Sequence, residues 1–277
     1  MHKLNDDIAH DKHAIAKSFG DAASTYNVAA ELQQRIGDKL LCLLNRHFSG
    51  DVFNGSSPAR VLDIGCGTGY ILNHLAEQTT VAYGLDIAEG MLGFAKRVSG
   101  HSHIHYVCAD AEAIPLADNS LDIVVSNFAI QWCPNKTALF NEISRVLSPG
   151  GLCVFSMPGA DTLCELKSSW NVADPDHSHV NQFCSVEKIA NDIECSALTA
   201  VSLETEIEMT RYTKLQELTQ ELKAIGAHNV TDGRARQLTG KGTLKRLVSA
   251  YETYRQEDGL LPATWNVIFG VLVSSKT

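Results

Sequence analysis

Val61-Leu62-Asp63-Ile64-Gly65-Cys66-Gly67-Thr68-Gly69-Tyr70 is the stretch on which the fold turns. Val61–Ile64 is a short apolar run with β-branched residues, and it ends at glycines spaced two apart. Tyr70–Glu77 then takes up a helical pattern. Glycines between a strand and a helix let the backbone turn sharply and approach a ligand closely. The carboxyl end of a strand is where open α/β sheets bind ligands. A dinucleotide fingerprint needs its third glycine one position later, where this chain has Tyr70. Asp63, two residues before Gly65, suits a cationic group better than an anionic pyrophosphate.

Outward from this loop, strands and helices alternate. Val81–Asp86, Ile104–Ala109, Leu121–Asn127 and Leu152–Met157 read as strands. Glu89–Val98 reads as a helix, and so does a segment with Leu139, Ile143, Val146 and Leu147 on one face, which Pro149-Gly150-Gly151 is expected to stop. Such alternation implies right-handed crossovers and a mostly parallel sheet. Before the loop, residues 10–48 look helical, with Val28, Leu32, Ile36 and Leu40 as one stripe followed by Leu43 and Leu44. After Pro158 the rhythm breaks. Val201–Met209 reads as a sixth strand with Glu204, Glu206 and Glu208 on alternate positions, and Trp265–Val273 as a seventh. Two amphipathic helices, about 213–226 and 243–256, lie between them, the second with Leu244, Leu247, Val248, Tyr251 and Tyr254 as its stripe. The expected organisation is a helical arm or lid over 1–50 and an α/β core over 51–158. A helical cap with one core strand (about 201–209) covers 159–260, and a final core strand 261–277.

Composition narrows the function. The 277 residues carry a net charge of −9, which argues against a general nucleic-acid binder. No apolar run approaches the roughly 18 residues of a membrane span. The first residues show no basic-then-apolar leader pattern, so the expectation is a cytoplasmic setting with no membrane partner. None of the eight cysteines forms a C-x-x-C pair, and no metal site is expected. No His-Asp or Cys-His pair stands out.

Further acids fall at successive strand ends. Asp86 closes the second strand, 23 residues after Asp63, where a carboxylate can accept ribose hydroxyls. Ile87 follows it. Asp110 and Ala111 stand after the third strand, with Asp110 expected to face an adenine amino group. Ser126 and Asn127 close the fourth strand, beside a transferable methyl. Together with Gly65, Gly67 and Gly69, these residues are expected to form a pocket for S-adenosylmethionine, whose product form is S-adenosylhomocysteine.

A second set of residues carries a more specific resemblance. It comprises the segment Ala14–Tyr26 with Phe19, the stretch Ser126-Asn127-Phe128-Ala129-Ile130-Gln131-Trp132, and Leu222-Lys223-Ala224-Ile225-Gly226-Ala227. Gly233-Arg234, Leu238-Thr239 and Asp258–Gly270 with Leu261-Pro262-Ala263-Thr264 complete it. In these the chain resembles the malonyl-acyl-carrier-protein O-methyltransferases of biotin synthesis, a branch of the class I methyltransferases. The resemblance implies a Rossmann-like, mostly parallel seven-stranded sheet flanked by helices, with an N-terminal helical lid and a helical cap insertion. It also implies methyl transfer to the free carboxylate of malonyl-acyl carrier protein, giving the ester that primes pimeloyl synthesis. A carboxylate, with a reference pKa near 4, is already a nucleophile at neutral pH and needs no general base. The protein must align oxygen, methyl carbon and sulfur and strip water from the carboxylate.

By that resemblance Tyr26 on the arm and Gln131 after the fourth strand are site residues. Arg234 and Lys223 both match the family pattern as carboxylate clamps and the sequence does not decide between them, with Arg234 taken as the site candidate, while Arg145 sits in a structural stretch. Between Arg211 and Arg246 the net charge is +5, leaving −14 for the rest, which suggests a docking face for the acidic carrier. The alternatives are a methyltransferase acting on another small acid or a quinone precursor, a cofactor-binding assembly factor, and a non-catalytic binding module.

Overall fold

The computed structural model describes residues 11–48, 59–227 and 240–276. Seven strands run β1 Ala59–Ile64, β2 Thr79–Asp86, β3 Ile104–Cys108, β4 Leu121–Asn127, β5 Leu147–Pro158, β6 Leu198–Tyr212 and β7 Leu261–Ser274. They form one sheet in the order β3-β2-β1-β4-β5-β7-β6. The pairs β1–β2, β1–β4, β2–β3 and β4–β5 are parallel, while β7 runs antiparallel to β5 and β6. The mostly parallel seven-stranded sheet read from the sequence is the one observed.

Both faces are covered at the middle of the sheet, which is why β1, β4 and β7 read as largely apolar runs, whereas the edge strand β6 is mostly exposed and alternates with acids. On one face Val61, Ile123, Val125, Val154 and Val267 join α3 (Glu31–His47) and α4 (Tyr70–Leu75) through Leu32, Ile36, Leu40, Ile71 and Leu72. On the other, Leu62, Val124, Cys153, Phe155 and Ile268 meet α6 (Lys136–Val146) and α8 (Val186–Glu194) through Phe140, Ile143, Ile189 and Ile193. The helix α5 (Glu89–Val98) buries Met91, Leu92 and Ala95. Strand order reverses between β1 and β4, so the carboxyl ends of β1, β2 and β4 open onto one crevice.

The arm is three helices rather than one: α1 Lys12–Ala22, α2 Tyr26–Ala29 and α3. Asp11 caps α1 by accepting from the backbone N–H groups of His13 and Ala14. The expected stripe holds for Leu32, Ile36, Leu40 and Leu44, all buried, but Val28 is 92% exposed. The chain leaves helical geometry at Ala30, with φ −94° and ψ 33°, so Val28 loses register with the residues that follow.

Two further expectations are corrected. Helix α6 ends at Val146, before Pro149-Gly150-Gly151. Leu147 already pairs with Leu121, and pairing resumes at Ile123 with Leu152, so the Pro-Gly-Gly stretch lies in a bulge of β5 rather than at a helix end. In α10 (Lys241–Tyr251) only Leu247 and Tyr251 of the expected stripe are buried, while Leu244 and Val248 are 51% and 40% exposed. α10 packs chiefly on α7 (Cys164–Ala173), a single neighbour that cannot cover a wide stripe. No helix among the described residues is long and apolar enough to cross a membrane.

Candidate active site

The glycine loop is pinned to the end of β2. Gly65 and Cys66 donate their backbone N–H groups to the carbonyl of Leu85 at 2.7 and 3.1 Å, and Gly67 N–H donates to Asp86 Oδ2 at 2.9 Å. Gly65 is obligatory, because its φ is +68° and an added Cβ would lie 2.1 Å from the Cβ of Ala129. Above Gly67 the opposite holds. A Cβ there would meet nothing within 4 Å, so open space lies over its backbone.

That space belongs to a cavity lined by Gly65, Gly67, Asp86, Ile87, Asp110, Ala111 and Asn127, all expected from the sequence. Asp63 lies in the adjoining recess with Tyr26, Gln33 and Asn127. Gly69 lines neither. It stands at φ +87° as the residue before α4 and turns the chain into that helix. Ser126 is fully buried and donates to the carbonyl of Ile64, a structural bond between β4 and β1.

The acids fit a cationic cofactor. Asp63 is 2% exposed and has no hydrogen-bond or ion-pair partner among the described residues. Burial pushes its carboxyl well above the usual carboxylate range, and the nearby charge of Asp86 adds to this. An ammonium group would remove that cost. Asp86 accepts from Gly67 and Ala88 N–H groups at 2.9 and 2.8 Å, yet burial still raises its pKa. Its remaining lone pairs can accept hydroxyls. Asp110 accepts from Lys12 Nζ at 2.6 Å, and the same ammonium donates to Glu112 at 2.6 Å. Lys12 of the arm therefore closes this end of the cavity, a contact that no local pattern announces.

A second, larger cavity of about 440 Å³ meets the first. Phe19, Tyr26, Phe128 and Trp132 line both, so these four side chains form the passage between them. The second cavity is walled by Leu163, Leu166, Trp170, Phe183, Leu222 and Trp265. Gln131 and Lys223 also line it, and Lys223 is its one lysine or arginine among the described residues. Gln131 Nε2 donates to the carbonyl of Phe128 at 2.6 Å, which leaves its buried Oε1 without a partner. Gln33 Oε1 is likewise buried and unpartnered.

Arg234 lies outside the described residues, as do Gly233, Leu238 and Thr239. Arg145 is spent on structure, with bonds to Glu142, Asp118 and the carbonyls of Ile114 and Leu116. No His-Asp pair stands out in the sequence, yet the fold brings one together. Asp174 Oδ2 lies 2.7 Å from His179 Nε2, and Asp174 Oδ1 lies 3.1 Å from His177 Nδ1. These two contacts hold the Asp174 carboxyl below its usual range. His179 stacks on Trp170 at 3.7 Å and lines the second cavity. The sequence hides this pair because Asp174-Pro175-Asp176-His177-Ser178-His179 reads only as turn chemistry.

Comparison with known proteins agrees with this geometry. Residues 62–155 match the model of a methyltransferase domain. The chain is similar to the malonyl-[acyl-carrier protein] O-methyltransferase of Methylovorus sp. strain MP688, with 39% identity over 94% of this chain and 88% of that protein. It is also 38% identical to the biotin biosynthesis bifunctional protein BioHC of Cellvibrio japonicus, covering 95% of this chain but only 50% of that protein. The chain thus spans about half the length of the bifunctional relatives. Among solved structures, a putative methyltransferase from Bacillus halodurans superimposes with a TM-score of 0.61 at 17% identity, covering 86% of this chain and all of that one. That likeness shows the fold alone. Sequence identity over nearly the whole chain and the paired cavities agree: the chain belongs to the malonyl-[acyl-carrier protein] O-methyltransferase family of S-adenosylmethionine-dependent enzymes.

Proposed function

We propose that the protein transfers a methyl group from S-adenosylmethionine to the free carboxylate of a malonyl thioester on acyl carrier protein, leaving S-adenosylhomocysteine and a methyl ester. The observation that carries this reading is the meeting of the two cavities at Phe19, Tyr26, Phe128 and Trp132. When bound, S-adenosylmethionine supplies an electrophilic methyl on a sulfonium, and the acceptor carboxylate supplies the electron pair.

The chain's own residues have three tasks. Asp63, Asp86 and Asp110 bind the cofactor's ammonium, ribose hydroxyls and adenine amino group, and the Gly65–Gly67 backbone lies beneath it. The aromatic passage excludes water, which strips the carboxylate of hydration and strengthens its nucleophilicity. Tyr26 orients it. Burial, with the charges of Asp86 and Asp63, pushes the ionisation of Tyr26 far upward, so its hydroxyl stays a neutral donor. A neutral donor holds a carboxylate oxygen without quenching its charge. Lys223 supplies positive charge at the acceptor end, and Arg234, outside the described residues, stays the clamp that the family resemblance implies. The unpartnered oxygens of Gln33 and Gln131 suit the amide N–H groups of the carrier's thiol arm.

The carrier itself is acidic, and the cap offers a basic surface. Lys241 and Lys245 are exposed on α10, beside exposed Leu244 and Val248, and Lys214 is exposed just before the helix that runs Leu215–Ala224. Arg211 is instead paired with Asp258, and Arg246 donates to the carbonyl of Ala173. The docking face therefore rests on the lysines. Incubation with radiolabelled S-adenosylmethionine and malonyl-carrier protein tests the whole reading, with malonyl-coenzyme A, other small acids and a quinone precursor as parallel acceptors. Label on the carrier is expected. An unlabelled carrier alongside confirmed cofactor binding defeats the proposal.

A further inference from the structure

Lys136 is the first residue of α6, and Asn135 caps that helix by accepting from the N–H of Ala138. The first turn is the positive end of the helix dipole, where a cation is disfavoured. Lys136 is nevertheless only 7% exposed. No carboxylate forms an ion pair with it among the described residues. Asp192 on α8 is held by Lys188, and Glu112 after β3 by Lys12. The thiols of Cys133 and Cys184 complete the titratable groups around it. Its ammonium donates to the carbonyls of Gln131, at 3.3 Å, and Cys133. A buried cation with only carbonyl partners is costly, and an apolar side chain of the same length would fold more cheaply.

What the ammonium holds is the 3-10 turn Ile130–Trp132. This turn places Gln131 in the acceptor cavity and Trp132 in the passage. The segment is under strain at its other end, where Phe128 adopts φ +49°, a left-handed conformation unusual for an aromatic residue. There it is gripped by Ser156, whose carbonyl accepts from Phe128 N–H at 3.1 Å, and by the close approach of Ala129 to Gly65. One end of the passage wall is thus fastened to β5 and the glycine loop, and the other to Lys136.

We infer that Lys136 is a positioning residue for methyl transfer, fastening the 128–133 segment so that Gln131 and Trp132 hold the acceptor in line with the cofactor. This rests on the proposed function for its kinetic consequence but not for its structural one.

The test compares Lys136→Met, which keeps the stem and removes the donors, with Asp192→Asn, which loosens the adjoining contact between α6 and α8. In cofactor-loaded enzyme without acceptor, Lys136→Met is expected to speed amide exchange over residues 129–133 by about tenfold or more. With acceptor, kcat is expected to fall by about tenfold to a hundredfold, while the cofactor Kd stays within about twofold. Asp192→Asn is expected to lower the melting temperature while leaving exchange at 129–133 and kcat near wild type. Unchanged exchange in Lys136→Met overturns the inference, and so does Asp192→Asn reproducing its effects. If the wild-type enzyme labels no carrier, the proposed function fails, and the exchange measurement still decides the role of Lys136.

Discussion

Ser18 Oγ donates to the carbonyl oxygen of Gly226 at 2.8 Å, joining residues 208 positions apart. A second bond, Thr25 Oγ1 to the carbonyl of Ala224 at 2.9 Å, runs beside it. The arm that carries Phe19 and Tyr26 is therefore latched to the end of the cap helix α9 (Leu215–Ala224). This explains the Ile225-Gly226-Ala227 helix end. Gly226 has φ +76°, and an added Cβ would lie 3.1 Å from Phe19 Cα and from the carbonyl oxygen of Ser18. Both the conformation and the contact disfavour a side chain.

Gly226→Ala is accordingly expected to lift the arm from its seat. Left-handed backbone costs a non-glycine residue about 1–2 kcal/mol, and the crowding against Phe19 adds to it. Cofactor dissociation, followed by stopped-flow fluorescence, should quicken by about tenfold. Wild-type dissociation in Gly226→Ala would show that the latch does not govern the cofactor cavity.

Asp63 makes a prediction about pH. Its folded pKa is raised by burial, so the folded apoprotein binds more protons than the unfolded chain between the two pKa values. The destabilisation is complete above the raised pKa and is relieved as pH falls through it. Cofactor binding runs the other way, because protonation removes the charge that meets the ammonium. Affinity for S-adenosylmethionine should therefore weaken on acidification, beginning above the ordinary carboxylate pKa of about 4. Asp63→Asn should raise the apoprotein melting temperature at pH 7 and weaken cofactor binding by about 10- to 100-fold. Calorimetry across pH checks both. A variant that binds tightly, with the acid dependence intact, would place the ammonium elsewhere.

Tyr26→Phe removes the hydroxyl and keeps the wall. A hydrogen bond to a charged group is worth about 1.5–3 kcal/mol, so kcat/KM for the acceptor should drop by about 10- to 150-fold. The cofactor Kd should change little. If steady-state kinetics show an unchanged kcat/KM, Tyr26 serves only to exclude water.

Replacing Lys214, Lys241 and Lys245 together by alanine should raise KM for the carrier-bound substrate by about tenfold, because exposed charges act mainly on encounter. The effect should shrink in high salt. KM for malonyl-coenzyme A, which lacks the carrier, should stay near wild type. Equal changes for both substrates would argue against a docking face.

The residues that look most diagnostic in the sequence divide sharply in the structure. Gly65, Gly67, Asp86 and Asp110 line one cavity, because a strand-loop-helix turn brings its groups together within a few residues. Thr264 of the Leu-Pro-x-Thr motif is structural instead. Its N–H and hydroxyl both donate to Glu165, a buried acid at the start of α7, at 3.1 and 2.5 Å. Tyr251 closes the same region by donating to the carbonyl of Pro262 at 2.8 Å. These motifs seat the cap, and nothing in their spacing says so. Val28 misled because a four-residue period continues across Ala30 while the backbone does not.

By itself, then, the sequence determined the sheet, the crossover helices and the glycine loop at the end of β1. All three depend on period and on short-range geometry, which are written in neighbouring residues. Only the tertiary structure decided what closes and what joins the cavities. The Lys12–Asp110 contact, the Ser18–Gly226 latch, the Asp174–His179 pair stacked on Trp170, and the buried Lys136 beneath the 130–132 turn all arise from how separate elements pack. A side chain's partner across 98 or 208 residues is set by three-dimensional packing and leaves no periodic mark in the chain.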